Sequence, residues 1–199
     1  MMPNDFNHMA NIITVLFEQI IARNHQKMDQ VDGTDSVMEE ELDEAKIFEN
    51  SEITKFDFFD TVYQITSVLG QSNPCLISAL IVIDRFSVKN PSFMITQDNI
   101  QRLLVVSVSS TAKMHDDFYF SNKSWCQLTG MDVRSYNKME SLFIKMMDFD
   151  FNVDQGYYNT YCKSLYTFIQ SVQKDLRRSF DQICRYAAAQ EETQSEIPA

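Results

Sequence analysis

Apolar side chains return at intervals of three and four along most of this sequence, the mark of helices with one buried face. Met9, Ile12, Ile13, Leu16, Phe17, Ile20 and Ile21 predict an N-terminal amphipathic helix of about five turns, whose stripe must pack on the rest of the chain or stand exposed. Thr54 with Asp57 has the form of a capping pair and opens a helix through Phe56, Phe59, Val62, Tyr63, Ile65, Thr66 and Leu69, closed by Gly70. Asn73 before Pro74 reads as an N-cap and first helical residue, and Leu76, Ala79, Leu80, Ile83 and Phe86 share one face before Asn90 and Pro91 end the run. Thr96 is placed to cap the next helix, with Ile100, Leu103, Leu104, Ser107, Val108, Thr111 and Met114 on its face. The small residues from Ser107 to Ala112 let neighbours approach closely, so this helix is expected at the centre of a bundle. A short helix then ends at Gly130, and Asp132 caps another that carries Met139, Leu142, Phe143, Met146 and Met147 and leads into an extended Asp148 to Val153. Tyr158, Tyr161, Leu165, Phe168, Val172, Leu176, Phe180 and Ile183 predict a last long helix, or two nearly collinear ones.

Composition sharpens this outline. Only 4 Gly and 4 Pro occur in 199 residues, too few for the turns of an all-β fold, so the fold class is all-α. Between Asp29 and Glu52, ten acidic residues face only Lys46, which reads as a solvated linker or as an acidic arm for a basic partner surface. The layout that results is an N-terminal helix (1–28), an acidic linker (29–50), a helical domain (51–153), a C-terminal helical extension (154–189) and a polar tail (190–199).

The net charge of -11 disfavours nucleic acid and anionic membranes as partners, since both need clustered Lys and Arg. The longest nearly uncharged apolar stretch, Cys75 to Ile83, is about half of what a membrane helix requires. Four scattered Cys without a CxxC pair read as reduced thiols of a protein that is not secreted, located in cytoplasm, nucleus or both. No nucleotide loop, nucleophile elbow or metal-ligand spacing is present, and His8, His25 and His115 lie far apart. No catalytic residue, metal site or cofactor is expected; the chain reads as a binder rather than an enzyme.

Three stretches, in order and suitably spaced, resemble a known family. Val82-Ile83-Asp84-Arg85-Phe86 is similar to the segment that ends the second helix of a cyclin box, and Ser110-Thr111-Ala112-Lys113-Met114 to the one that ends the third. Met139 to Phe151 is similar to the stretch ending in the box's hydrophobic "LDFDL" turn. Asn99 to Leu104, Asp117 to Asn122, and Gly130 followed by Tyr136 to Glu140 further resemble the P/U-type cyclins, the branch related to the yeast phosphate-starvation cyclin.

The resemblance implies a single five-helix cyclin box at 51–153 with N- and C-terminal flanking helices. It implies a regulatory subunit that binds and activates a cyclin-dependent Ser/Thr protein kinase, as a heterodimer, by positioning the kinase's C helix. The family's kinase-contacting lysine and glutamate match Lys113 and Glu140, and Met114, Ile144, Phe149 and Phe151 match its apolar face toward that helix. Asp84 and Arg85 belong to the structural motif. The first box helix lacks the Arg that commonly pairs with this Asp, and Gln64 stands near its place, which leaves Asp84 to Arg85, to Arg102, or to a neutral hydrogen bond with Gln64. About 46 residues follow the box, too few for a second. The competing reading is a cyclin-fold adaptor that binds another protein without activating a kinase.

Overall fold

The computed structural model describes residues 5–28, 44–50 and 55–172. Residues 29–43 of the acidic linker, the Thr54 cap, the distal part of the last predicted helix (173–189) and the tail (190–199) lie outside the described residues. Among the described residues every regular element is helical: α1 (Asp5–Met28), α2 (Lys55–Tyr63, continued by a wider π-helical turn at Gln64–Val68), α3 (Asn73–Lys89), α4 (Ile100–His115), α5 (Asn122–Thr129) and α6 (Val133–Met146). A 3-10 turn at Lys46–Phe48 precedes α2, and a further helix, α7, covers residues 155–172. The fold is all-α, and α2 to α6 supply the five helices of a box.

The helix ends show which polar residue wins each cap. α3 is capped by Ser72, whose Oγ accepts from the Cys75 N–H at 3.2 Å, so Asn73 is the first helical residue and Pro74 the second. Thr96 does not cap α4. Asn99 stands before the helix and folds its amide back, with Oδ1 accepting from Thr96 N–H at 2.9 Å and Nδ2 donating to Met94 O at 2.8 Å. Asp132 does cap α6, taking the Arg134 and Ser135 N–H groups at 2.9 and 3.1 Å, and the Ser135 hydroxyl, which donates to Oδ2 at 2.6 Å, together with these backbone bonds holds its carboxyl below the usual range. Gly130 closes α5 at φ +65°.

α4 is the hub. From Ile100 to Ala112 every residue but Arg102 is buried. Its small polar residues tie it to its neighbours: Ser107 Oγ donates to Ala79 O of α3 at 2.9 Å, and Ser109 Oγ meets Tyr136 Oη of α6 at 2.7 Å. Gln101 Nε2 reaches Thr61 Oγ1 of α2 at 2.8 Å and Leu128 O of α5 at 3.0 Å. Ser107, Ser109 and Gln101 thus satisfy their buried polar groups on neighbouring helices, whereas the buried hydroxyls of Ser110 and Thr111 have no hydrogen-bond partner among the described residues.

α1 packs on α2 through Ala10, Ile13, Thr14 and Phe17, with Phe17 edge-on to Phe58 at 5.9 Å. Burying Phe17 alone stabilises by about 1.5–3 kcal/mol. The docked face centres on Ile13 and Phe17, while Ile12, Leu16, Ile20 and Ile21 are only half-buried.

The end of the acidic segment is also docked, contrary to its reading as a linker to residue 50. Phe48 is fully buried and lies edge-on to Phe86 (6.3 Å), Phe93 (5.6 Å) and Phe143 (6.5 Å). Arg102 Nη1 donates to Ile47 O at 3.2 Å and to Glu49 O. One aromatic residue among acids produces no periodicity, so the sequence pattern conceals this anchor.

Candidate functional site

Lys113 lies in the last turn of α4 and Glu140 in the middle of α6. One turn earlier on each helix, Ser109 and Tyr136 form their buried hydrogen bond, and burial pushes the Tyr136 phenol up from its usual range. Stepping four residues along both helices from that bond arrives at Lys113 and Glu140, so the buried pair sets the register of the outer one. Lys113 Nζ pairs with Glu140 Oε1, the two side chains being 25% and 13% exposed. The charges are thus each other's partners and also face outward.

Asn122, the first residue of α5, bridges them. Its Oδ1 accepts from Lys113 Nζ at 2.5 Å, while Nδ2 donates to Glu140 Oε2 at 2.9 Å and to Asn137 Oδ1 at 2.7 Å. These contacts occupy two of the three ammonium donors and leave acceptor capacity on the carboxylate. A partner's backbone carbonyls and N–H groups are what such a cluster can take up, through charge-assisted hydrogen bonds.

Apolar side chains stand around it unequally. Met114, next to Lys113, is 55% exposed and Phe149 is 68% exposed, while Ile144 is half-buried. Phe151 is different: at 3% exposure, with its ring 6.0 Å from Phe143, it belongs to the core and offers no surface to a partner. The cause is the backbone. An extended Asp148 to Val153 puts Phe149 and Phe151 on one face, but Asp148 and Phe149 adopt φ +52° and +57°, which breaks the alternation. Phe149 N–H then donates to Ile144 O at 3.1 Å. For a bulky residue such a conformation is a true outlier costing of order 1–3 kcal/mol, which the surroundings must overcome.

Arg85 of the structural motif does not serve Asp84. Its Nη1 reaches Asp150 Oδ1 at 2.7 Å and the carbonyls of Asp150 and Asn152, each at 3.0 Å, while Lys89 approaches Asp150 at 3.7 Å. Arg102 is likewise engaged with the 47–49 backbone, and Asp84 itself is exposed. His115 Nε2 lies 3.0 Å from Phe151 O, joining the end of α4 to this segment and bringing Met114 and Phe149 onto neighbouring elements.

Two parts of the site escaped the sequence: the Asn122 bridge and the Arg85 brace. Asn122 had one signal, its place in the Asp117 to Asn122 stretch of the resemblance. Beyond Met114, Phe118, Tyr119 and Phe120 are also exposed, at 92%, 58% and 38%. No cluster of three His, Cys, Asp or Glu that could hold a metal ion occurs among the described residues. No helix among them is long and apolar enough to cross a membrane.

Comparison with known proteins bears on the family of the chain. A family model described as "Cyclin" matches residues 7–151, which takes in α1 as well as the five helices after it. The chain is 36% identical over 94 residues to Cyclin-U4-2 of Arabidopsis thaliana, covering 47% of this chain and 44% of that one. With Cyclin-U1-1 of the same plant it shares 26% identity over 154 residues, covering 77% and 70%. With Cyclin-P4-1 of Oryza sativa subsp. japonica it shares 31% over 94 residues, covering 47% and 44%. The matches to U4-2 and P4-1 span less than half of those relatives' length.

Proposed function

This chain belongs to the cyclin family, with a box of the P/U type, and from that premise we propose that it is the regulatory subunit of a cyclin-dependent Ser/Thr protein kinase. It carries no chemistry of its own. It binds the kinase's C helix in the placement that lets the helix glutamate reach the ATP-binding lysine, and so shifts the kinase population toward the active form.

The observation that carries this reading is the Lys113–Glu140 pair: two charges from different helices, held together by Asn122, partly exposed and flanked by the bare side chains of Met114 and Phe149. A buried structural ion pair has no need of exposed apolar neighbours. A docking surface has, because an apolar centre excludes water and strengthens the polar anchors beside it. Phe151 drops out of the surface, which consists of Lys113, Glu140, Met114, Ile144 and Phe149.

Reconstitution tests the reading. The purified chain is mixed with recombinant cyclin-dependent kinases, and complex formation and phosphorylation of a linker-histone substrate are followed. The expected result is a one-to-one complex with stimulated phosphorylation, both lost in the Lys113→Ala, Glu140→Ala double variant. Equal stimulation by that folded variant overturns the surface, and binding without stimulation favours the adaptor.

A further inference from the structure

We propose that Arg85 is a positioning residue for the interface: it holds the Asp148 to Asn152 turn in the conformation that presents Phe149 to the kinase. This rests on the kinase-binding reading above.

Three observations converge. The turn contains two successive residues with positive φ, neither of them Gly; the N–H groups of Asp148 and Phe149 close α6 on Lys145 O and Ile144 O at 2.9 and 3.1 Å, which offsets part of that strain and leaves the rest to a contact from elsewhere in the fold. The aromatic residue in that turn is 68% exposed, so its conformation gains nothing from core packing. The third is the brace itself. Arg85 Nη1 reaches one carboxylate and two carbonyl oxygens of the segment following the turn, all within 3.0 Å, from a helix whose neighbouring positions, Val82, Ile83 and Phe86, are buried. The guanidinium thus joins a rigid element to a strained one.

Closing α6 does not require this. Phe151, buried against Phe143, already anchors the chain after the turn. What Arg85 adds is a fixed direction for the segment between α6 and that anchor, and hence for the ring of Phe149. Backbone strain kept by a dedicated contact, next to an exposed aromatic residue, is the expected form of a surface organised before its partner arrives. All three acceptors converge on Nη1 alone, so a lysine ammonium, a point charge on a more flexible stem, restores only part of the brace.

The test uses the full chain with Arg85→Ala, Arg85→Lys, Phe149→Ala and the Arg85→Ala, Phe149→Ala double variant. Amide exchange is read in the free chain, and affinity is read for a recombinant cyclin-dependent kinase that the wild type activates. Arg85→Ala is expected to speed exchange at residues 148–151 by about tenfold or more while α4 keeps its protection. It is expected to weaken kinase binding about tenfold, to add little to Phe149→Ala, and to be partly rescued by Arg85→Lys. Should Arg85→Ala not fold, Asp150→Asn replaces it, since it removes the carboxylate and leaves both carbonyls. Unchanged exchange in the turn, or losses that multiply independently in the double variant, overturn the proposal. A wild type that activates no kinase overturns the kinase reading, and the exchange arm then still reports whether Arg85 holds the turn.

Discussion

Because Lys113 and Glu140 are paired with each other before any partner arrives, removing them one at a time and together separates their role in folding from their role in binding. Charges about 4 Å apart attract by about 1 kcal/mol in bulk water and about 4 kcal/mol at an effective dielectric near 20. Side chains 25% and 13% exposed lie between these limits. After the cost of ordering both, a coupling of about 1–2 kcal/mol is expected. Lys113→Ala leaves the more buried carboxylate to the Asn122 amide, and costs about 1–2 kcal/mol. Glu140→Ala leaves an ammonium that turns to solvent, and costs about 1 kcal/mol. The double variant should cost no more than Lys113→Ala alone. Urea unfolding of the four free proteins measures this cycle. Kinase affinity should instead fall by about 2–5 kcal/mol in the double variant, roughly 30-fold to several thousand-fold, since the partner's polar groups lose both anchors. Additive stability losses would refute the pairing. A binding loss below about threefold would refute the surface.

Other outcomes follow from the core and the caps. Phe143→Ala removes the fully buried ring that touches Phe48, Phe86 and Phe151, and urea unfolding should show a loss of about 3–5 kcal/mol. Gly130→Ala meets no atom within 4 Å and acts only through φ +65°, so it should cost about 1–2 kcal/mol, read as a lower thermal midpoint. Burial, reinforced by Asp116, pushes the Cys75 thiol from 9.0 up to about 12. The native state therefore keeps a proton that the unfolded chain loses above pH 9. The stability Cys75 contributes is whole below that value and falls by up to about 1.4 kcal/mol per unit toward pH 12. Thermal midpoints of wild type and Cys75→Ala should converge across that window, and a constant difference would contradict the assignment.

The helices were legible because their apolar periods are strong and Gly70, Asn90, Gly130 and Asp132 punctuate them. The caps of α3 and α4 shifted because several polar residues near each start can cap, and tertiary contacts select among Ser72, Asn73, Thr96 and Asn99. The π-helical turn at Gln64–Val68 carries no Gly or Pro to announce it. In the site, Lys113, Glu140 and Met114 were marked by the resemblance to the cyclin box, and the pairing of the two charges with each other is what the structure adds. Phe151 could not be told from Phe149, because two aromatic residues at i and i+2 share a face unless the backbone leaves the extended region, and nothing local marks Asp148 and Phe149 for positive φ. Asn122 and Asp150 act across 9 to 65 residues of sequence, beyond any local pattern.

An amide-exchange footprint of the chain, taken with and without an activated cyclin-dependent kinase, decides where the kinase sits. New protection is expected over residues 112–122 and 137–150, the ends of α4 and α6 with the segments that follow them. A stable, active complex whose protection falls on α1 or α2 instead, with those two stretches unchanged, would contradict the interface.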